Sequence, residues 1–360
     1  GWPTKIESSA LATDDPLFAY TRREPVGVCA GISPWNAPVT NPLLKIVPAL
    51  ACGNTVVVKP AEQTPLTSVR LAEIILEAGI PAGVVNILQG PGDVGAALVA
   101  HRQIDKVAFT GSTATGKVIQ REAANTLKRV TLELGGKSPN IIFADADLEA
   151  AIPGAMMAVF PNSGQVCFAG TRLFVQRPIH DAVVEAISAG SGQMTVGDGF
   201  DPTTQLGPLV SAEQFERVQG YIEAGRTDGA TLAAGGGRVG DKGYFVQPTV
   251  FAGADNTMRI AREEIFGPVV TVIPFDDESE VLALANDTDF GLGAGVWTRD
   301  ISRAHKVAAS LRAGMVWVNT YGDMASPIPF GGFKQSGIGR EFGANALDAY
   351  TEQKSVVVKL

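Results

Sequence analysis

The segment Phe160-Pro-Asn-Ser-Gly-Gln-Val-Cys-Phe-Ala-Gly-Thr-Arg172 sets Cys167 between Gly164 and Gly170, in surroundings too polar to be core. Cysteine is usually a small buried hydrophobe. Here a second reading is open: a thiol presented for chemistry, whose thiolate is a nucleophile. Glu133 lies in Thr131-Leu-Glu-Leu-Gly-Gly-Lys137, an apolar strand that runs into two glycines. It reads either as an exposed strand residue or as a general base. An apolar setting raises a carboxylate pKa, and Gly135–Gly136 lets another group approach closely. Asn36, in Ser33-Pro-Trp-Asn-Ala-Pro38, is either a turn residue or a side-chain amide able to donate to an oxyanion. Phe109-Thr-Gly-Ser-Thr-Ala-Thr-Gly-Lys117 lies where a strand meets a helix. Gly111 allows a tight turn there, and the helix start offers N–H groups and partial positive charge to a pyrophosphate. Its form is G-S-T-x-x-G rather than G-x-G-x-x-G, so an ordinary strand–helix turn is the competing reading.

These residues need elements to position them. Strands are expected at 25–34, 55–59, 84–88, 106–109 and 128–134. Helices are expected at 38–52, 65–78, 93–100 and 114–126. Thr55-Val-Val-Val-Lys59 is a β-branched run stopped by Pro60. Helix 65–78 opens on a proline and is followed by Gly79. Strand–helix alternation of this kind indicates a doubly wound parallel sheet. A second α/β unit follows, with strands at 140–143, 172–175, 245–250, 269–274, 293–297 and 315–319. Helices are expected at 147–159, 178–188, 211–226, 278–285 and 300–311. Residues 233–243 read as a glycine-rich surface loop. The first 25 residues and the strand at 354–360 fall outside both units and suit one small sheet, whose exposed strands invite pairing with another subunit.

Composition narrows the partners. The 360 residues carry a net charge of −8, and Lys and Arg form no runs, which argues against nucleic acid or an anionic membrane as the main partner. No apolar run reaches the roughly 18 residues of a membrane span. The three cysteines show no metal-like spacing and the three histidines are scattered, so no metal site is expected. Free thiols suit a reducing compartment, and the expected location is cytoplasmic. Cys29 and Cys52 sit in apolar contexts and read as inert core. The opening Gly1-Trp2-Pro3, with no initiator Met, reads as a shortened or processed chain.

Seven segments in order make the chain resemble the NAD(P)-dependent aldehyde dehydrogenase superfamily: PWN (34–36), KPAEQTP (59–65), FTGSTATGK (109–117), LELGGKSP (132–139), GQVCFAGTR (164–172), EEIFGPVV (263–270) and PFGGFKQSGIGRE (329–341). The resemblance runs from about residue 20 to the C-terminus, but lacks the N-terminal segment such enzymes carry. It implies a Rossmann-like cofactor domain, an α/β catalytic domain and a small oligomerisation sheet. The boundaries it suggests are oligomerisation strands at 1–25, a cofactor domain at 26–134, a catalytic domain at 135–335, a return segment at 336–353 and an oligomerisation strand at 354–360.

The resemblance further implies that Cys167 attacks an aldehyde, that Asn36 and the Cys167 N–H hold the oxyanion, and that Glu133 activates the water that releases the acid. Lys59 and Glu62 would meet the adenosine ribose, Gly111 and Ser112 the pyrophosphate, and Glu264 and Phe266 the nicotinamide half. Ser33, Pro34, Trp35, Leu134 and Gly135 complete the expected cofactor contacts. NAD is the expected cofactor, with NADP tolerated. A mostly apolar substrate tunnel would draw on Ala37, Leu44, Phe160, Phe168, Met324 and Phe330. Asp323 at its mouth would favour a cationic aldehyde if it is more than a solvated loop residue. A homodimer or homotetramer is expected. The alternatives are a cofactor-independent thiol esterase, transfer of the acyl group to coenzyme A, and a catalytically silent relative. Glu133 argues against the second, and the Cys167/Glu133/Asn36 set against the third.

Overall fold

The computed structural model describes residues 3–13 and 16–359. The expectations for residues 1–25 and 354–360 therefore lie partly outside the described residues, at 1, 2, 14, 15 and 360. The chain divides into two compact units. The first comprises residues 1–133, 325–330 and 338–360; the second comprises 134–324 and 331–337.

In the first unit, five parallel strands lie side by side in the order Arg129–Glu133, Lys106–Thr110, Val28–Ile32, Thr55–Lys59, Val85–Ile87. The first of them in the chain is central, and later strands add to one side and then to the other. The order therefore reverses beside Val28–Ile32. In open α/β sheets, the loops at the carboxyl ends of the strands flanking such a reversal form a ligand crevice. Those loops here are Ser33–Asn36 and Gly111–Ser112. Helix Thr40–Ala51 covers the sheet through Ile46 and Ala49, which pack with Val56, Val58 and Ala108. Pro42 falls in its first turn, where a backbone N–H has no helical partner to lose.

A three-stranded antiparallel sheet also belongs to this unit. Its central strand Leu17–Pro25 pairs along its length with Thr351–Lys359, from Thr351 opposite Pro25 to Lys359 opposite Leu17, and with Ala10–Leu11 on its other side. The two ends of the chain do form one small sheet.

The second unit holds a seven-stranded sheet in the order Thr231–Ala234, Thr249–Ala252, Val269–Phe275, Arg172–Gln176, Pro139–Ile142, Gly293–Trp297, Met315–Val318. All pairings are parallel except the first. Continuous apolar runs suit strands covered on both faces, and two apolar cores pack on this sheet. Two elements differ from expectation. The strand expected at 245–250 starts only at Thr249, because Pro248 has no N–H to give a ladder. An edge strand not expected from the sequence, Thr231–Ala234, takes in the first two residues of the stretch read as a glycine-rich loop.

Among the described residues no helix is long and apolar enough to cross a membrane, and no cluster of three or more His, Cys, Asp or Glu is placed to hold a metal.

Candidate active site

The carboxylate expected to act as a base lies in the first unit. Glu133 ends its strand with its side chain buried, and its Oε2 has no hydrogen-bond partner among the described residues. Burial pushes its pKa well above the usual carboxylate range, and the neighbouring Glu341 pushes it further; Lys45 and Arg340 pull the other way. Lys45 is itself buried. Its ammonium pairs with the Glu341 carboxylate and donates to Thr110 Oγ1 at 2.6 Å. Gly31 makes room for this lysine, since a Cβ there would fall 2.8 Å from Lys45 Cβ. Glu341 is pinned by reciprocal backbone bonds with Phe330, both 2.7 Å. The expected general base thus sits beside a buried cation–anion pair that the sequence did not single out.

The strand ends of the same unit hold the expected cofactor contacts. Ser33 is buried with a hydroxyl that finds no partner among the described residues. Lys59 is buried and its ammonium lies 2.9 Å from a half-exposed Glu62 carboxylate. A backbone N–H and then Lys59 hold that carboxyl below its ordinary range, so it stays charged. Ser112 caps helix Thr113–Ala123, its hydroxyl accepting from the Thr115 N–H at 3.2 Å. Gly111 is required for a steric reason: a Cβ would meet the Phe109 ring at 2.4 Å. Its N–H donates to the Glu133 carbonyl at 3.0 Å, so that donor is committed within the fold. The Asn36 carboxamide oxygen accepts from Asn41 Nδ2 at 3.4 Å, which sets its NH2 on the opposite edge. Pro34, Trp35, Ala37 and Leu44 are half-buried.

The thiol expected to act as the nucleophile lies in the second unit. Cys167 is half-buried, whereas Cys29 and Cys52 in the first unit are buried. Burial raises those two thiols to about 12 and about 11, which makes them poor nucleophiles. The loop before Cys167 is strained: Asn162 and Ser163 both take left-handed φ values, 52° and 53°, a conformation costing roughly 1–2 kcal/mol per non-glycine residue. Local bonds hold it. The Ser163 hydroxyl donates to the Gly207 carbonyl at 2.7 Å, Gln165 Nε2 donates to the Asn162 carbonyl at 3.0 Å, and the Val210 N–H donates to Gln165 Oε1 at 3.0 Å. Gly164 and Gly170 on either side of the thiol serve close packing within the protein. A Cβ at Gly164 would lie 2.0 Å from the Gly267 carbonyl oxygen, and one at Gly170 would crowd Asn140, Tyr321 and Ala158.

The glycine pair 135–136 admits close neighbours, as expected, and they come from the protein itself. A Cβ on Gly135 would fall 2.5 Å from Glu264 Oε2, and one on Gly136 would fall 2.3 Å from the Cys167 carbonyl oxygen. The Gly136 N–H donates to Glu264 Oε1 at 2.9 Å. Burial raises the Glu264 carboxyl to about 7. Phe266 takes φ 60°, and Gln214 Nε2 donates to its carbonyl at 2.8 Å. In this unit the segments around Gly135, Cys167 and Glu264 all precede strands. They gather at the amino ends of Pro139–Ile142, Arg172–Gln176 and Val269–Phe275, opposite to the usual crevice rule for parallel sheets.

The sequence profile of the Aldehyde dehydrogenase family matches residues 1–356. The chain belongs to the aldehyde dehydrogenase family. It is 54% identical over 346 residues to the betaine aldehyde dehydrogenase of Mesorhizobium japonicum, covering 95% of this chain and 71% of that one. Among solved structures it is similar to an aldehyde dehydrogenase from Bacillus cereus in complex with NAD+, with a TM-score of 0.99, 53% identity, and coverage of 100% of this chain and 74% of that one. It is also similar to the indole-3-acetaldehyde dehydrogenase AldA of P. syringae in a complex with NAD+ and IAA, with a TM-score of 0.97, 49% identity and coverage of 99% and 73%. The fold is the aldehyde dehydrogenase α/β fold.

For this aldehyde dehydrogenase the residues named for a substrate tunnel are placed unevenly. Phe160 is fully buried and packs in the core with Leu173 and Trp297, so it presents no surface to a substrate. Phe168 is half-buried, 5.6 Å from the Trp317 ring, and its carbonyl accepts from the Tyr321 hydroxyl at 2.6 Å. Met324 and Asp323 are exposed; the Asp323 carboxylate accepts from the Thr320 hydroxyl. Phe330 is buried in the first unit. Leu134 is buried, and its N–H donates to the Ser336 carbonyl at 2.9 Å. Sequence reasoning missed Lys45, Glu341 and Tyr321. The available signal for Lys45 was a lone charge in the apolar run Pro42-Leu-Leu-Lys-Ile-Val-Pro48.

Proposed function

We propose that this chain oxidises an aldehyde to a carboxylic acid with NAD+ through a covalent intermediate on Cys167. The observation that carries the reading is the contrast among thiols: Cys167 alone is half-buried, on a loop pinned by dedicated hydrogen bonds. The Cys167 thiolate adds to the aldehyde carbon, and the Asn36 amide and the Cys167 N–H stabilise the resulting oxyanion. NAD+, when bound, supplies the hydride acceptor that leaves a thioester on Cys167. Glu133 then takes a proton from water, the water oxygen adds to the thioester carbon, and the thiolate departs as the acid forms. A carboxyl held well above its usual range by burial suits that base role.

The first unit's residues suit a dinucleotide. A buried Ser33 hydroxyl without a partner among the described residues lies at the sheet's reversal point, with the Lys59–Glu62 pair at the next strand end and a helix start at Thr113. Lys59 and Glu62 would receive the adenosine ribose, Ser112 the pyrophosphate, Glu264 and Phe266 the nicotinamide half. The Glu62 carboxylate accepts from a free ribose 2′-hydroxyl and repels a 2′-phosphate. NAD is therefore the preferred cofactor, by roughly tenfold to a hundredfold, or about 1.4–2.8 kcal/mol.

The substrate is a medium or aromatic aldehyde, with Asp323 available to a cationic one. The edge strand Thr351–Lys359 exposes Val357 and Val358, which supports assembly with a second copy; a monodisperse monomer in light scattering at micromolar protein would contradict that. The test of the function is NADH formation over a panel of aldehydes with either cofactor. Absence of NADH with every aldehyde, alongside cleavage of activated esters, would replace this reading with a thiol esterase.

A further inference from the structure

The peptide between Gly135 and Gly136 is hydrogen-bonded at both its carbonyl and its N–H within the second unit. Its carbonyl end is fixed: the Ser336 hydroxyl donates to the Gly135 carbonyl at 2.7 Å, and Ser336 Oγ in turn accepts from the Gly291 N–H at 2.9 Å. Its amide end is held by a side chain, Glu264 Oε1, at 2.9 Å. The absence of a side chain at Gly135 is what lets the carboxylate come down on this peptide, with Oε2 only 2.5 Å from where a Cβ would be. Gly136 also lies close against the nucleophile's backbone: a Cβ on it would lie 2.3 Å from the Cys167 carbonyl oxygen. The same Glu264 segment reaches the loop a second time, through the Gly267 carbonyl packed on Gly164.

We infer that Gly136 is a positioning residue that couples Glu264 to Cys167: the carboxylate holds the Gly136 N–H, Gly136 supports the Cys167 carbonyl, and a ligand engaging Glu264 resets the backbone that carries the thiol. The signal to be transmitted rests on the reading of Glu264 as the carboxylate for the nicotinamide ribose; the clamp itself does not. A vicinal diol donating to Glu264 shares the carboxylate with the Gly136 N–H, and a shared acceptor holds each donor less firmly. The buried carboxyl, raised to about 7, is also a weaker acceptor when protonated. The nucleophile would thus be held in one position in the free enzyme and released into another as the cofactor's ribose arrives.

The experiment is the rate at which iodoacetamide alkylates Cys167, followed by peptide mass spectrometry, in the whole chain without substrate. Glu264→Ala removes the acceptor and should speed alkylation roughly three- to tenfold, the scale of one lost hydrogen bond. Glu264→Gln keeps an oxygen acceptor and should stay near the unmutated rate, which a general loss of packing would not reproduce. Gly136→Ala should also raise the rate with Glu264 intact; if it does not fold, the Glu264 pair carries the test. ADP-ribose, which has the second ribose but no nicotinamide ring to shield the thiol, should speed alkylation of the unmutated chain and leave Glu264→Ala unchanged. Equal rates in the unmutated chain and Glu264→Ala overturn the clamp, as does an ADP-ribose effect that survives in Glu264→Ala. Failure of ADP-ribose to bind by calorimetry, with the Ala and Gln variants still differing, would instead count against the cofactor reading and leave the clamp standing.

Discussion

Lys45 and Glu341 form a buried ion pair next to the carboxyl proposed as the general base, although 296 residues separate them in the chain. Burial is the main reason the Glu133 pKa is raised; on top of it Glu341 raises the pKa further, while Lys45 and Arg340 lower it.

Removing either partner should therefore move the pH profile in opposite directions. Lys45→Met leaves two carboxyls without their cation, so Glu133 holds its proton to higher pH and the rise of kcat with pH shifts alkaline. Glu341→Gln removes the repelling carboxylate and shifts that rise acid. Lys45→Met should also cost about 3–5 kcal/mol of stability, as breaking a buried pair does. Melting temperatures and pH–rate profiles check both statements; parallel shifts in the two variants would remove the pair from any influence on Glu133.

Cofactor choice gives the second prediction. Glu62→Gln removes the repulsion toward a 2′-phosphate while keeping a hydrogen-bond acceptor for a 2′-hydroxyl. The ratio of kcat/KM for NAD over NADP should fall, chiefly because NADP use improves. An unmutated protein that already uses NADP as well as NAD would show that Glu62 does not act on the ribose.

Lys106 supplies a prediction on stability. It is fully buried, donates to Thr131 Oγ1 at 2.9 Å and lies 4.5 Å from the centre of the Tyr350 ring. Burial lowers it from 10.5 to about 7. Between those values the unfolded chain binds the proton that the folded chain does not, so this group makes stability rise with pH across the window and lowers it most near and below pH 7. Lys106→Met should flatten the rise of melting temperature over that range. A slope identical in both proteins would mean that Lys106 stays protonated when folded.

Much of the architecture was legible because local chemistry and global fold agree. The run Thr55–Lys59 is β-branched and stops at Pro60; helix Leu66–Glu77 falls within its expected span; the two chain ends pair as one sheet. What was not legible depends on long-range placement. Lys45 is read locally as one charge in an apolar helix, and only the fold brings Glu341 to it. Phe160, beside a polar loop, suggested a tunnel wall, yet the helix Leu148–Met157 before it directs it into the core. Gly164 and Gly170 flank the thiol in the sequence, but only the fold shows that the groups crowding them are the protein's own backbone and side chains.

The most direct test of the central claim is intact-protein mass spectrometry of Glu133→Gln, quenched soon after mixing with NAD+ and an accepted aldehyde. Acylation needs Cys167 but not Glu133. The variant should therefore release a burst of NADH, accumulate the acyl mass on the Cys167 peptide, and then turn over slower than the unmutated protein by roughly a hundredfold or more, the scale of a lost general base. Cys167→Ala should show neither burst nor adduct while keeping its fold. A burst of NADH with no mass on Cys167, or steady turnover in Cys167→Ala, would contradict a covalent mechanism at this residue.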